Sequence, residues 1–144
     1  MMPMTMTELS KAMAKIDFAL LTTLTEGDQL ASRPMSNNGD VEYDGDSFYF
    51  SWESARTVSD ILKNPHIALN FQGNAGLLGK PPLFVAVEGT ARIVRDKGEF
   101  AEHWTSELEY WFKDGIDTEG MVMIHVHADR IAYWDGEDQG TIKV

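Results

Sequence analysis

Apolar residues recur along this chain with two spacings, every second position in some stretches and every third or fourth in others. The first spacing predicts strands and the second helices. Over 17–25, Phe18, Leu20 and Leu24 share one face with Thr22 among them, which predicts a strand. Glu26-Gly27-Asp28 is a turn and 29–37 a second strand, so the pair forms a hairpin. Asn38-Gly39-Asp40 and Asp44-Gly45-Asp46 are further turn signals. Four more strands are predicted over 47–52, 66–72, 83–94 and 121–134. Helical spacing predicts a short helix over 7–15, capped by Thr5 or Thr7. A second helix is predicted over 55–63. The segment 96–112 reads as mainly helical, with Phe100, Trp104, Leu108, Trp111 and Phe112 recurring along it. Six strands with few helices predict a mainly β fold with peripheral helices, closed as an antiparallel barrel to remove exposed edges.

Length and composition narrow this picture. At 144 residues and 43% apolar, the chain is expected to form one domain over 1–144 with a sizeable core. The longest loop, 72–82, carries three glycines and two prolines and is too short to separate a pair of domains. No internal repeat or low-complexity tract is visible. The formal charge is −11, from 23 acidic and 12 basic residues. Such a surface repels nucleic-acid phosphates and anionic lipid, so neither is expected as a partner. A local pair of arginines can still hold a small anion at moderate salt. There are no cysteines, so disulfides, thiolate nucleophiles and cysteine-based metal sites are excluded. No stretch has the length of a membrane span and the start lacks a signal-peptide pattern, so a cytoplasmic location is expected.

The candidate chemistry gathers around 47–72, which reads as strand, tight turn, short helix and strand. Ser54 is placed to cap the helix by accepting from the amide of Arg56 or Thr57. Free amides, the positive end of a helix dipole and an arginine then meet at one point, which suits a phosphate. The plainer alternative is an Arg56–Asp60 pair along the helix. Arg33 lies on an earlier strand beside Pro34, and a proline there argues for an edge, bulge or strand end. Irregular backbone at such an edge can meet a planar ring. His125 and His127 fall on one face of the last strand. Neither a third ligand nor a nearby carboxylate pattern accompanies them, so no metal site is expected. Trp104, Trp111 and Phe112 read first as core packing, whereas Trp134 suits a pocket wall or a barrel mouth. No nucleophile is linked to a base, and no catalytic residue stands out.

Taken in order, these residues resemble the pyridoxamine 5′-phosphate oxidase-like, FMN-binding split-barrel proteins, and among them the bacterial general stress protein branch. The matching pieces are Phe18-Ala19-Leu20-Leu21-Thr22-Thr23, Ser32-Arg33-Pro34-Met35, Phe48-Tyr49-Phe50-Ser51, the stretch from Ser54 to Pro65, and Val85-Ala86-Val87-Glu88-Gly89-Thr90-Ala91. Trp111-Phe112-Lys113-Asp114-Gly115 and Tyr133-Trp134-Asp135 match that branch as well. The resemblance implies a six-stranded split barrel that forms a homodimer with flavins at the subunit interface. It implies FMN, with FAD as the alternative, held by Arg33, Pro34, Met35, Ser36, Phe50, Ser51, Ser54, Arg56 and Thr57, with Trp111 or Trp134 covering the ring. Ala55 and Thr57 stand where the family's phosphate motif has serine and lysine. Phe84 replaces a glutamine and Asn38 a lysine of the true oxidases, whose C-terminal substrate segment is not recognisable. These departures weigh against oxidation of pyridoxamine phosphate itself. They leave a flavin-dependent oxidoreductase of a small molecule as the first expectation. The alternatives are a flavin-binding stress protein without turnover, a split barrel for haem or a deazaflavin, and a fold whose site has decayed.

Overall fold

The computed structural model describes residues 3–37 and 41–144. The turn at Asn38-Gly39-Asp40, and with it the position of Asn38, lies outside them. Seven strands form one antiparallel sheet: β1 (Phe18–Thr25), β2 (Gln29–Ser36), β3 (Asp46–Trp52), β4 (His66–Gln72), β5 (Leu83–Val94), β6 (Met121–Asp135) and β7 (Asp138–Lys143). Three helices accompany them: α1 (Met6–Met13), α2 (Arg56–Lys63) and α3 (Lys97–Glu102). The order is β2-β1-β4-β5-β6-β3, with β7 also on β6. The six predicted strands are present within a residue or so of their expected ends. The sheet curls into a half-barrel, the split form that the resemblance implies, and is not closed by hydrogen bonds. Among the described residues β2 pairs only with β1, and β3 only with β6. Pro34 accordingly lies on an edge strand, where its missing N–H costs no ladder bond.

The seventh strand is an addition to the predicted set. β3 pairs with β6 from Met121 to His127, and β7 continues along β6 from Arg130 to Asp135. Its sequence, Asp138-Gln139-Gly140-Thr141-Ile142-Lys143, holds one large apolar residue, so alternation cannot reveal it. The two-residue turn between Asp135 and Asp138 was the available signal, since Gly136 takes φ +68° there.

One register row shows how the interior is built. Leu21, Leu69, Val87, Ile131 and Ile142 lie side by side across β1, β4, β5, β6 and β7. The first four are fully buried, and each such side chain contributes about 1.5–3 kcal/mol by leaving water. The same row ends at β2 with Arg33, opposite Leu21. Leu9, Met13 and Ile16 pack into this core from α1 and its C-terminal side, and Ile61 packs in from α2. A second, aromatic core lies under α3, where Phe100, Phe112, Met121 and Met123 gather with Phe48, Phe50, Trp104 and Leu108.

The segment 96–112 is less helical than its spacing predicts. Asp96 caps α3 by accepting from the Gly98 amide, but the helix ends at Glu102. Thr105 is extended and the chain resumes as a 3₁₀ turn over Ser106–Tyr110. Aromatic and β-branched residues lose rotamer freedom in a helix. Here tertiary packing takes them instead: Trp104 and Phe112 both meet the ring of Phe50, at 5.3 and 6.3 Å between centroids.

Candidate functional site

The N-terminus of α2 is where the expected phosphate-binding groups can be judged. The helix begins one residue later than predicted. Ala55 occupies the cap position, with φ −69° and ψ 141°, and no side chain accepts from the first-turn amides. Ser54 is exposed and does not cap; it stands one place too far out for its hydroxyl to reach those N–H groups. The positive end of α2 therefore stays open, with Arg56 exposed in its first turn and no acidic residue beside it.

Arg33 reaches toward the same helix. Its Nη2 lies 3.5 Å from Oδ2 of Asp60, and its Nη1 donates to the Thr23 hydroxyl at 2.7 Å and to the carbonyls of Leu21 and Ala31. Asp60 is 4% exposed. It accepts from the hydroxyls of Thr23 at 2.8 Å and Thr25 at 3.0 Å. The plain reading of an Arg56–Asp60 pair is thus replaced: Asp60 turns inward to β1 and β2, and Arg56 faces outward. Burial holds the Arg33 guanidinium below its ordinary pKa, Asp60 opposes this, and Arg56 is near enough to add to it by repulsion. Both arginines belong to the surroundings of α2, but Arg33 is turned to Asp60 and carries its own counter-ion. Sequence reasoning missed Thr23 and Thr25. The available signal was the hairpin register, which sets Thr23 diagonal to Arg33.

The other expected residues distribute as follows. Along β2, Arg33 and Met35 face inward and Pro34 and Ser36 outward, as a strand requires. They share an open backbone edge rather than one side-chain wall. The Phe50 ring is enclosed in the aromatic core, and Ser51 is half-buried on the opposite face of β3. Thr57 is buried at the start of α2. Trp111 is exposed and meets only Tyr110 edge-on among the aromatic pairs. Trp134 is exposed on the outer face of the sheet, paired in register with Phe84.

His125 and His127 do share a face, and both bond the same oxygen of Asp46, at 2.8 and 2.9 Å. Arg92 Nε donates to Nδ1 of His125 at 2.9 Å. That nitrogen must therefore accept, so Nε2 carries the proton given to Asp46. Partial burial pushes the Asp46 carboxyl up, but the hydrogen bonds from His125 and His127 outweigh it and leave it below its ordinary value. The bond to Asp46 raises the His127 pKa.

A family model described as "Pyridoxamine 5'-phosphate oxidase like" matches residues 4–144. The chain belongs to the pyridoxamine 5′-phosphate oxidase-like family. Solved structures of this fold include a Clostridium acetobutylicum protein related to general stress protein 26 of B. subtilis. It is 20% identical at a TM-score of 0.78, covering 96% of this chain and 94% of that one. A general stress FMN/FAD binding protein from Xanthomonas citri is 17% identical at a TM-score of 0.72, covering 96% and 95%. A heme binding protein from Mycobacterium smegmatis is 15% identical at 0.75, covering 99% of this chain and 60% of that one. No curated protein matches the chain. The pyridoxamine 5′-phosphate oxidase-like assignment accounts for the split barrel and for the order of its elements. No helix among the described residues is long and apolar enough to cross a membrane.

Proposed function

We propose that this protein is a cytoplasmic flavoprotein that binds FMN, or FAD as the alternative, and serves as an oxidoreductase of a small molecule. The observation that carries the reading is the uncapped N-terminus of α2 with Arg56 exposed in its first turn, while Arg33 reaches the same helix at Asp60. In this reading Arg56 and the first-turn amides of α2 hold the phosphate, with Ser54 at its margin. Arg33 orients the site from below, and Thr57 supports the helix start by packing. The open edge of β2 at Pro34, Met35 and Ser36 offers backbone groups to the ring, and Phe50 and Ser51 stand at the end of β3. Trp111 and Trp134 are the exposed rings available to cover a flavin. When bound, the flavin supplies the hydride and electron chemistry, and the protein supplies binding and orientation.

A homodimer belongs to the same proposal. The outer face of the sheet exposes Phe18, Leu20, Phe84 and Trp134, with Leu20 beside Pro34 in register. A patch of this kind on a sheet face suits a second copy. One observation favours a second reading, a flavin-binding protein without turnover: Asp60 offsets the charge of Arg33, which leaves Arg56, among the described residues, as the cation of the pair without a salt bridge. Haem is disfavoured at His125, whose two ring nitrogens are both engaged.

The deciding experiment loads the purified protein with excess FMN, removes free flavin and records the visible spectrum and stoichiometry. About one flavin per subunit is expected from one site on each chain. A folded protein that retains none overturns the proposal. Reduction of the bound flavin by a nicotinamide donor, followed by reoxidation with a small-molecule acceptor, separates the enzyme from the non-catalytic binder.

A further inference from the structure

The connection between β4 and β5, residues 73–82, holds two leucines out into solvent. Leu77 is 92% exposed and Leu78 fully exposed, more than any other large apolar side chain described. The tip is a formed turn. The Gly76 amide donates to the Lys80 carbonyl at 2.8 Å, and the Lys80 amide to the Leu77 carbonyl at 3.3 Å. Pro81 and Pro82 stiffen the return to β5. Leu78 sits at φ +59°, in the left-handed region that a leucine rarely adopts. Its side chain gains no packing among the described residues in return. Strain without an internal reward points to a contact outside the chain.

The sheet beside this tip says what the contact is. Lys80 Nζ lies 4.0 Å from Asp135, the neighbour of Trp134, and β5 starts at Leu83 directly after the loop. The tip therefore stands at the end of the outer face that exposes Phe18, Phe84 and Trp134. Two register rows cross that face from β2 to β7, one through Leu20 and Ala86 and one through Phe84 and Trp134. Their twelve positions, six in each row, carry no charged side chain, although 24% of the chain is charged. Charged residues belong at the surface, so their absence here is a pattern. Charge returns in the third row, with Glu88, Arg130 and Lys143. Residues 73–79 are uncharged as well. Exposed aromatics in a surface depleted of charge are the composition of an interface core. A chain of net charge −11 that recognises a different partner does so best through charge, and these rows offer none. A two-fold contact has the opposite need, because a charge near the axis faces its own copy.

We propose that Leu77 and Leu78 form an arm that reaches a second copy of this chain and buries itself on the uncharged rows of the partner's sheet. This rests on the homodimer of the proposed function and names the element that grips it. The test is sedimentation velocity with fluorescence detection, on the full chain and on two double variants, from about 1 nM to about 100 µM. Leu77→Ser with Leu78→Ser removes the apolar tip. Leu77→Met with Leu78→Met keeps it apolar. Both leucines are free of packing among the described residues, so each variant is expected to keep the native circular dichroism spectrum. The native chain is expected to dimerise. The serine variant should dissociate at least about 100-fold more readily, on the order of tenfold for each leucine left in water, and the methionine variant should dimerise as the native chain does. A serine variant as dimeric as the native chain throughout the series overturns the arm and leaves the homodimer standing. A native chain that stays monomeric throughout overturns both and gives the tip to a partner of another kind. Flavin stoichiometry is read by absorbance in a separate experiment, so failure of the flavin reading is told apart from either result.

Discussion

Asp60 draws hydroxyl and guanidinium groups from two strands to one buried carboxylate. Replacing it by alanine leaves the partly buried Arg33 uncompensated. Asp60→Ala is therefore expected to lower unfolding free energy by about 3 kcal/mol, the low end for breaking a buried pair; urea denaturation measures it. Arg56 lies outside that network. Arg56→Ala should leave the urea midpoint unchanged while weakening FMN by about 1.5–3 kcal/mol, as for loss of a charged hydrogen bond. Fluorescence titration with FMN decides, and unchanged affinity would move the phosphate away from α2. His127 carries a pH dependence. Its folded pKa is raised, first by the bond to Asp46 and further by Asp129 and Asp44. The stabilisation from this contact is full below the ordinary histidine value of about 6.5 and is lost as pH rises through the raised one. On the acid side Asp46, held below its ordinary value, retains its share until pH falls below about 4. The urea midpoint should thus drop between about pH 6 and pH 8, the window that brackets a raised histidine pKa, and His127→Gln should flatten that change. Arg33 and Arg56 were legible from residue type and spacing. The partner of Arg33 was not, because Asp60 sits one helical turn from Arg56 in sequence and faces the other way in space.

At the scale of elements, what the chain reveals is what alternates. β4 and β5 hold apolar residues at every second position and bury them, and both were predicted residue for residue. β1 shows how far such reading goes. Phe18, Leu20 and Leu24 do share a face with Thr22, yet that face points away from the core, which takes Ala19, Leu21 and Thr23 instead. Period locates a strand; which side is buried depends on its neighbours. β7 and the broken helix after α3 escaped for related reasons, one too polar and the other too aromatic for local pattern to decide. The β5–β6 pair contains a bulge at Glu88/Gly89, where Asp129 is the extra residue. A Cβ on Gly89 would run into the carbonyl of His127. Gly89→Ala must therefore push the two longest strands apart, and a loss of at least about 1–3 kcal/mol is expected. Thermal melts followed by circular dichroism would register it, and a neutral result would mean the bulge relaxes freely.

For the molecule as a whole, the outer face of the sheet is the feature that one chain leaves unexplained. Phe18 is 63% exposed and Leu20 49%, on a strand whose other face is buried in the core at Ala19, Leu21 and Thr23. If a second copy covers this face, a charge there should prevent association. Leu20→Glu is expected to convert a dimer into a folded monomer in sedimentation velocity. Because the site of the proposed flavin would then lose one wall, FMN should be lost with it. A monomeric native protein removes the dimer from the proposal without touching the phosphate site. Six strands with few helices made a barrel legible, but as a closed one; the split form came from the resemblance alone, since closure depends on whether β2 and β3 meet, and no local signal records that.

The sheet order also sets a schedule for synthesis. β3 pairs only with β6 among the described residues, and Asp46 meets His127 81 residues further on. On the ribosome, the Phe48-Tyr49-Phe50 segment emerges long before its partner exists, whereas β1 and β2 can zip together at once. Contacts of such long range are slow to form, and an unpaired apolar strand is exposed to wrong partners while it waits. The last long strand to leave the ribosome thus joins β3 to the rest of the sheet and at the same time ends the interval in which that apolar strand waits unpaired.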